Sequence, residues 1–429
     1  MSCMTNLPPA MAALESSTIT LHGREYRLPR RPTVVVCVDG FDPSYLDAGV
    51  EDGILLTMAS FVQDGFHATA KCAMPSLTNP NNLSIITGAP TAVHGISGNY
   101  YLDTATGEEH MVLDDSLMRG STILERMADR GIRVAAITAK DKLRKILNHG
   151  LSPSKRSICF SAQYAKDCTE AEHGIHNVEQ WLGRPNPSQY SGELSLYVLD
   201  AGLQLLKEGR ADLFYLTLSD YIQHKYPPRS PEANEFMREI DTRLGEFIKL
   251  GAVVAVTGDH GMSDKSTDNG KPNVLYLQDV LSSKWPNSKP RVICPIADPF
   301  VRHHGALGGF VRVHLTAKQP GAIVDEIVEY CRQLAQVEAA YTGADAAALF
   351  EMPPDREGDL VVIAKQNSVI GACEAEHDLS QLQGFRLRSH GGLSEQAIPL
   401  LRSGPVKGRG SDKGRAWRNF DVFDVALNY

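Results

Sequence analysis

Asp220 and His224 stand four residues apart, Asp259 and His260 are adjacent, and Asp39 closes an earlier apolar run. Carboxylate and imidazole donors without cysteine suit zinc, manganese or iron, and three protein ligands with one open position is the catalytic arrangement. What precedes each aspartate makes the set informative. Asp39 follows Thr33-Val34-Val35-Val36-Cys37-Val38, Asp220 ends Asp212-Leu213-Phe214-Tyr215-Leu216-Thr217-Leu218-Ser219, and Asp259 ends Ala252-Val253-Val254-Ala255-Val256-Thr257-Gly258. Continuous apolar runs of this length are expected of parallel strands buried on both faces. Ligand sites in such sheets lie beyond the carboxyl ends of the strands. Three distant segments are therefore expected to meet at one sheet edge, with enough donors for two metals.

Each part also has a plainer use. Asp39 before Gly40 suits a turn. Asp220 and His224, spaced i and i+4, share one face of a helical turn and would serve as a surface hydrogen bond. His390, in Ser389-His390-Gly391-Gly392, is one of 14 histidines, so its weight comes from the set. Thr78, in Leu77-Thr78-Asn79-Pro80-Asn81, suits the N-cap of a helix from Asn81. The same place would hold a hydroxyl against an anion bound at the helix start, and a metal nearby would make that hydroxyl a nucleophile. Lys140 and Lys142 follow a further expected strand at 133–138, which moves two otherwise solvated cations towards the ligand edge. Asn99, in Ser97-Gly98-Asn99-Tyr100, fits a turn equally well. The pair His303-His304 could form a spare metal site, though a structural or substrate-contacting loop carries more weight.

The elements that must position these residues are partly readable. Helices are expected at 55–63, 194–208 and 419–427, a long amphipathic one at 232–250, and a short strand or hairpin around 18–26. The stretch 149–191 reads as loops and short helices. At 429 residues the chain is large for one core, so an α/β domain with an inserted smaller one is expected. The main sheet is mostly parallel and flanked by helices. Short β-like runs at 273–277, 309–314 and 359–364, with a helical stretch at 322–337, suggest an α+β cap at 268–380; residues 1–267 and 381–429 would form the core.

Composition narrows the function classes. A chain 42% hydrophobic and 22% charged is that of an ordinary soluble protein, and no apolar run approaches the ~20 residues a membrane span needs. The first 31 residues lack a basic segment followed by an apolar one, so no secretory signal is read. Eight scattered cysteines without a Cys-x-x-Cys pair point to reduced thiols in a cytoplasm and against thiolate-bound zinc. A net charge of -8 disfavours nucleic acid as a partner. Neither a Gly-x-x-x-x-Gly-Lys-Ser/Thr loop nor a Gly-x-Ser-x-Gly elbow is present.

Assembled in order, these motifs resemble those of the alkaline phosphatase superfamily, in its nucleotide pyrophosphatase/phosphodiesterase branch. Asp39, Thr78, the pair Asp220 and His224, the run Asp259-His260-Gly261-Met262, and His390 carry the resemblance. It implies an alkaline-phosphatase-like fold and two Zn2+, with Mn2+ or Fe2+ as substitutes. Asp220, His224 and His390 would hold one ion, and Asp39, Asp259 and His260 the other, with Thr78 the nucleophile against both. The sulfatase Cys/Ser-x-Pro-x-Arg pattern is missing, and phosphoglycerate mutases of the superfamily generally use serine where this chain has Thr78. Within the superfamily the phosphonoacetate hydrolase family is the nearest resemblance, through the Leu77 to Asn81 loop, Asn99, Ala139-Lys140-Asp141-Lys142 and a basic cap residue, Arg291 or alternatively Arg302. It implies a small anionic phosphonate substrate, contacted by Thr78, Asn99, Lys140, Lys142, Arg291 and His390; a homodimer is left open.

Charge supports that substrate class. Two divalent cations against three aspartates leave about +1, and the lysines raise this to about +3. A phosphodiester carries one negative charge, whereas phosphonoacetate carries several. Hydrolysis of a carbon–phosphorus bond also expels a carbanion, which is tolerable only if its charge spreads into a neighbouring carboxylate. Cations there stabilise the transition state more than the ground state. The expected reaction is attack by Thr78, a phosphothreonine intermediate, and release of acetate and phosphate. A phosphodiesterase or nucleotide pyrophosphatase is the alternative.

Overall fold

The computed structural model describes residues 17–298, 304–317, 322–382, 384–406 and 414–429. Its centre is a seven-stranded sheet in the order Phe66–Lys71, Ala397–Arg402, Val253–Gly258, Thr33–Val38, Leu213–Thr217, Val134–Thr138, Ile158–Ser161. The last five run parallel to one another. Ala397–Arg402 runs antiparallel to both of its neighbours.

Every residue of Thr33–Val38 is buried because helices cover both sheet faces. Val34, Val36 and Val38 pack with the helices Glu193–Lys207 and Pro231–Lys249. Val35 and Cys37 point the other way, into a cluster with Leu83, Ile85 and Ile86 of the helix Thr78–Thr87 and Val422, Phe423 and Val425 of the helix Val422–Asn428. Period-two alternation is thus present in space but invisible in the sequence, since both faces need apolar side chains. Each such side chain contributes about 1.5–3 kcal/mol on burial. Local signals set the helix starts: the Asp42 carboxylate accepts the Ser44 N–H at 2.9 Å to cap Pro43–Glu51, and Pro231 opens Pro231–Lys249.

A second sheet has four antiparallel strands in the order Pro290–Ile293, Phe310–Leu315, Leu360–Ala364, Val337–Thr342. Leu277 and Leu281 of the helix Leu277–Lys284, and Ile327, Val328 and Cys331 of Ala322–Arg332, close its own apolar cluster. The fold is the expected α/β one, with a mostly parallel sheet between helices and a smaller antiparallel sheet. Three main-sheet strands, Phe66–Lys71, Ile158–Ser161 and Ala397–Arg402, occupy segments where no strand was expected. Cysteines are free among the described residues, and no described helix is long and apolar enough to cross a membrane.

Candidate metal centre

One edge of the main sheet collects the residues singled out above. Asp39 and Asp259 come directly after the strands Thr33–Val38 and Val253–Gly258, and Asp220 comes shortly after Leu213–Thr217. His390 lies ahead of Ala397–Arg402, and because that strand is antiparallel, its start reaches the same edge. Thr78 arrives from the end of Phe66–Lys71 through a turn.

Ligand atoms of Asp220, His224 and His390 lie within 4.8 Å of one another, and so do those of Asp39, Asp220 and His260; all five residues are buried. Asp220 therefore belongs to both trios. Asp259 stands beside the second, with Oδ1 3.9 Å from His260 Nε2. That oxygen also accepts the backbone N–H groups of Gly40 (3.1 Å) and His260 (3.0 Å).

Three observations show that these residues suit cations. First, His224, His260 and His390 each direct Nδ1 to a backbone carbonyl, of Arg388 (2.8 Å), Gly261 (2.9 Å) and Ser76 (2.8 Å) respectively. Those bonds require N–H at Nδ1 and leave the Nε2 lone pairs to converge, as in ligating histidines. Second, Asp39 Oδ1 faces His260 Nε2 at 3.2 Å without a hydrogen bond, as two ligands of one ion do. Third, the cluster holds more buried carboxylate charge than its own cations balance. Burial, then the Asp220 and Asp259 charges, push the Asp39 carboxyl well above the usual carboxylate range. Burial also raises Asp259. Burial works to lower His260, but Asp259, Asp39 and Asp220 outweigh it and hold the imidazole at about 10. His390 is kept neutral by burial and by its His260 and His224 neighbours, as a ligand must be. A divalent ion would relieve this excess by displacing the protons.

Thr78 is the first residue of its helix, with Leu77 as the cap residue, so it is not the N-cap of a helix from Asn81. Its Oγ1 lies 3.3 Å from His260 Nε2, which puts a hydroxyl both beside the ligands and in the anion-attracting first turn.

Asp39, Thr78, Asp220, His224 and His390 line one cavity together with Asn99, Lys140 and Lys142. Asn99 donates its backbone N–H to the Pro295 carbonyl at 2.8 Å, and its buried Oδ1 accepts nothing from the protein. Lys140 immediately precedes the helix Asp141–Leu147, and Lys142 lies in that helix's first turn. Burial, then the Lys140 charge, lower the Lys142 ammonium to about 7; its Nζ pairs with the Asp298 carboxylate.

Asp298 and Ile296 also line this cavity, and sequence reasoning missed both. No motif surrounds either; only the fold of the second sheet brings them there. His304 is a further wall, stacked on His224 with ring centroids 4.7 Å apart. Arg291 is not brought to the cavity. It is held by Glu109 (Nη2 to Oε2, 2.8 Å) and Glu376 (Nη1 to Oε1, 2.7 Å). Arg302 and His303 lie outside the described residues.

Residues 33–392 match the family described as type I phosphodiesterase / nucleotide pyrophosphatase. Crystal structures of phosphonoacetate hydrolase from Sinorhizobium meliloti, in complex with phosphonoformate and with phosphonoacetate, superpose with TM-scores of 0.91 and 0.90. Both are 43% identical to this chain, covering 96% of it and 98% of the solved chains. An uncharacterised pyrophosphatase/phosphodiesterase of Schizosaccharomyces pombe is 25% identical over 57% of this chain, which spans 44% of that protein's length. With most of its length matched and its site built on the expected sheet edge, the chain belongs to the type I phosphodiesterase / nucleotide pyrophosphatase family of the alkaline phosphatase superfamily.

Proposed function

We propose that this metal-dependent hydrolase cleaves the carbon–phosphorus bond of phosphonoacetate, giving acetate and phosphate, with Thr78 as nucleophile and zinc as its metal. The observation that carries the substrate is that Lys140 and Lys142 line the same cavity as Thr78, Asp39, Asp220, His224 and His390. Near-complete coverage at 43% identity by a phosphonoacetate hydrolase supports it.

Asp220, His224 and His390 would hold one ion, and Asp39, Asp259 and His260, with Asp220 adjacent, the other. When bound, such ions supply positive charge that favours an ionised nucleophile and offsets charge gathering on the phosphoryl oxygens. The residues of the chain do the rest. Thr78 Oγ attacks phosphorus in line while the P–C bond breaks, so the phosphoryl group passes to Thr78 and the electron pair goes to the methylene carbon. Lys140 and Lys142 hold the substrate carboxylate, and their charge stabilises the enediolate form of that carbanion. The proton lost from the Thr78 hydroxyl passes to solvent, and a proton from solvent adds to the methylene carbon to give acetate. Asn99, whose Nδ2 is engaged with the Ile296 carbonyl at 3.4 Å and which lines the same cavity, would border the phosphoryl group. Water then attacks phosphorus on Thr78, releasing phosphate and restoring the hydroxyl.

The family description and the Schizosaccharomyces pombe relative favour one second reading, phosphodiester or pyrophosphate hydrolysis at the same centre. Phosphate release from phosphonoacetate, 2-aminoethylphosphonate and turnover of an aryl phosphodiester, measured side by side, separate the two. Under the proposal phosphonoacetate is preferred, and Lys140→Ala loses that activity while sparing the diester. Equal phosphonoacetate turnover in wild type, Lys140→Ala and Lys142→Ala would remove the substrate argument.

A further inference from the structure

Thr78 and Asp259 come from segments far apart in the chain, yet one side chain touches both. Asn82, one helical turn after Thr78 and fully buried, donates from Nδ2 to the Thr78 carbonyl at 2.9 Å and to Asp259 Oδ2 at 3.2 Å. The Thr78 carbonyl only accepts, and so does Asp259 when ionised, so the amide faces them with its NH2 group and not with its oxygen. Its Oδ1 then needs a donor, and the Tyr215 hydroxyl supplies one at 2.7 Å from the strand Leu213–Thr217. Tyr215 is also fully buried, and burial keeps it protonated.

Gly40 and His260 N–H groups occupy Asp259 Oδ1, so the hydrogen bond from Asn82 fixes the remaining rotation of that carboxylate. We infer that Asn82, held in one amide orientation by Tyr215, is a positioning residue that sets the Asp259 carboxylate and the first turn of the nucleophile helix against each other. The inference rests on the reading of Asp259 as a ligand and Thr78 as nucleophile. Neither Asn82 nor Tyr215 reaches the cavity, so their effect passes through those two groups.

The test uses full-length protein stripped of metal, with zinc affinity measured by competition against a chromophoric chelator and unfolding of the metal-free protein followed in parallel. Asn82→Leu keeps the side chain's bulk without donors; Tyr215→Phe removes only the hydroxyl. Asn82→Leu is expected to weaken zinc binding at one site about 10–100-fold and to lower kcat more than it raises KM, beyond any change in metal-free unfolding. Tyr215→Phe is expected to weaken zinc binding less, and to add nothing in the Asn82→Leu background, because both act through one amide. A folded Asn82→Leu protein with wild-type zinc affinity would overturn the inference, as would independent, additive losses. If Asn82→Leu does not fold, Tyr215→Phe with wild-type zinc affinity overturns it. Zinc affinity is read without phosphonoacetate, so this outcome is separate from whether the proposed substrate is correct.

Discussion

Replacing Lys265 by methionine tests whether the loop carrying His390 is held by charge. Lys265 and Glu395 are both 0% exposed, with Nζ 2.9 Å from Oε1. The pair joins two segments that carry candidate ligands: Lys265 follows Asp259 and His260, and Glu395 follows His390. Glu395 Oε2 accepts the Gly392 N–H at 3.0 Å, and its carbonyl accepts the Gly261 N–H at 2.7 Å. Methionine fills most of the lysine volume but leaves the carboxylate buried with one backbone donor. Breaking a buried pair from one side in this way costs about 3–5 kcal/mol. Lys265→Met/Glu395→Gln removes the stranded charge and keeps an acceptor for Gly392, so it should recover more than half of that loss. Urea unfolding of the metal-free proteins measures both values without metal binding intruding. A loss below about 1 kcal/mol in Lys265→Met, or no recovery in the double variant, would refute the claim that this pair's charge balance fixes the loop.

Thr78→Val, which keeps shape without the hydroxyl, should lower phosphonoacetate turnover by at least about three decades, while bound zinc, measured by elemental analysis, stays near two per chain; turnover within tenfold of wild type would exclude the threonine nucleophile. His390→Ala should cut bound zinc to about one per chain, because it removes a ligand from the trio with Asp220 and His224. His94 is fully buried against Ser84 Oγ at 3.0 Å, and burial, with the nearby His22 and Arg356 charges, lowers it to about 3. Below pH 6.5 the unfolded chain binds a proton there that the folded protein refuses, so stability falls as pH drops, by about 3 kcal/mol at pH 4.5. His94→Asn should flatten the fall between pH 6.5 and 4.5 in denaturation measured across that range; a wild-type slope in the variant would contradict the assignment.

The strands that carry ligands were legible because burial on both faces leaves a continuous apolar run ending at the ligand. The strands that were missed lack that signal for separate reasons. Phe66–Lys71 is an edge strand with alternating partial exposure. Ile158–Ser161 is only four residues long, at the opposite edge. Ala397–Arg402 contains Pro399, which argues against an interior strand, although it lies between two neighbours. Within the site, motif spacing singled out the candidate ligands but gave no sign of their sharing: that Asp220 belongs to both trios is seen only in the folded side-chain positions. Arg291 shows the converse. A basic residue on a strand of the second sheet reads alike whether it lines the cavity or, as here, pairs with Glu109 and Glu376, which are remote in sequence. Asp298 meets Lys142 only through tertiary folding, so no local pattern announces it.

Hydrolysis of a carbon–phosphorus bond at a two-metal centre with Thr78 and two cavity-lining lysines is tested by the product stoichiometry from phosphonoacetate with purified protein, before and after metal removal and zinc restoration. Acetate and phosphate are expected in equal amounts, lost on chelation and regained with zinc. Failure of the zinc-restored protein to release acetate from phosphonoacetate, while it cleaves an aryl phosphodiester, would contradict it.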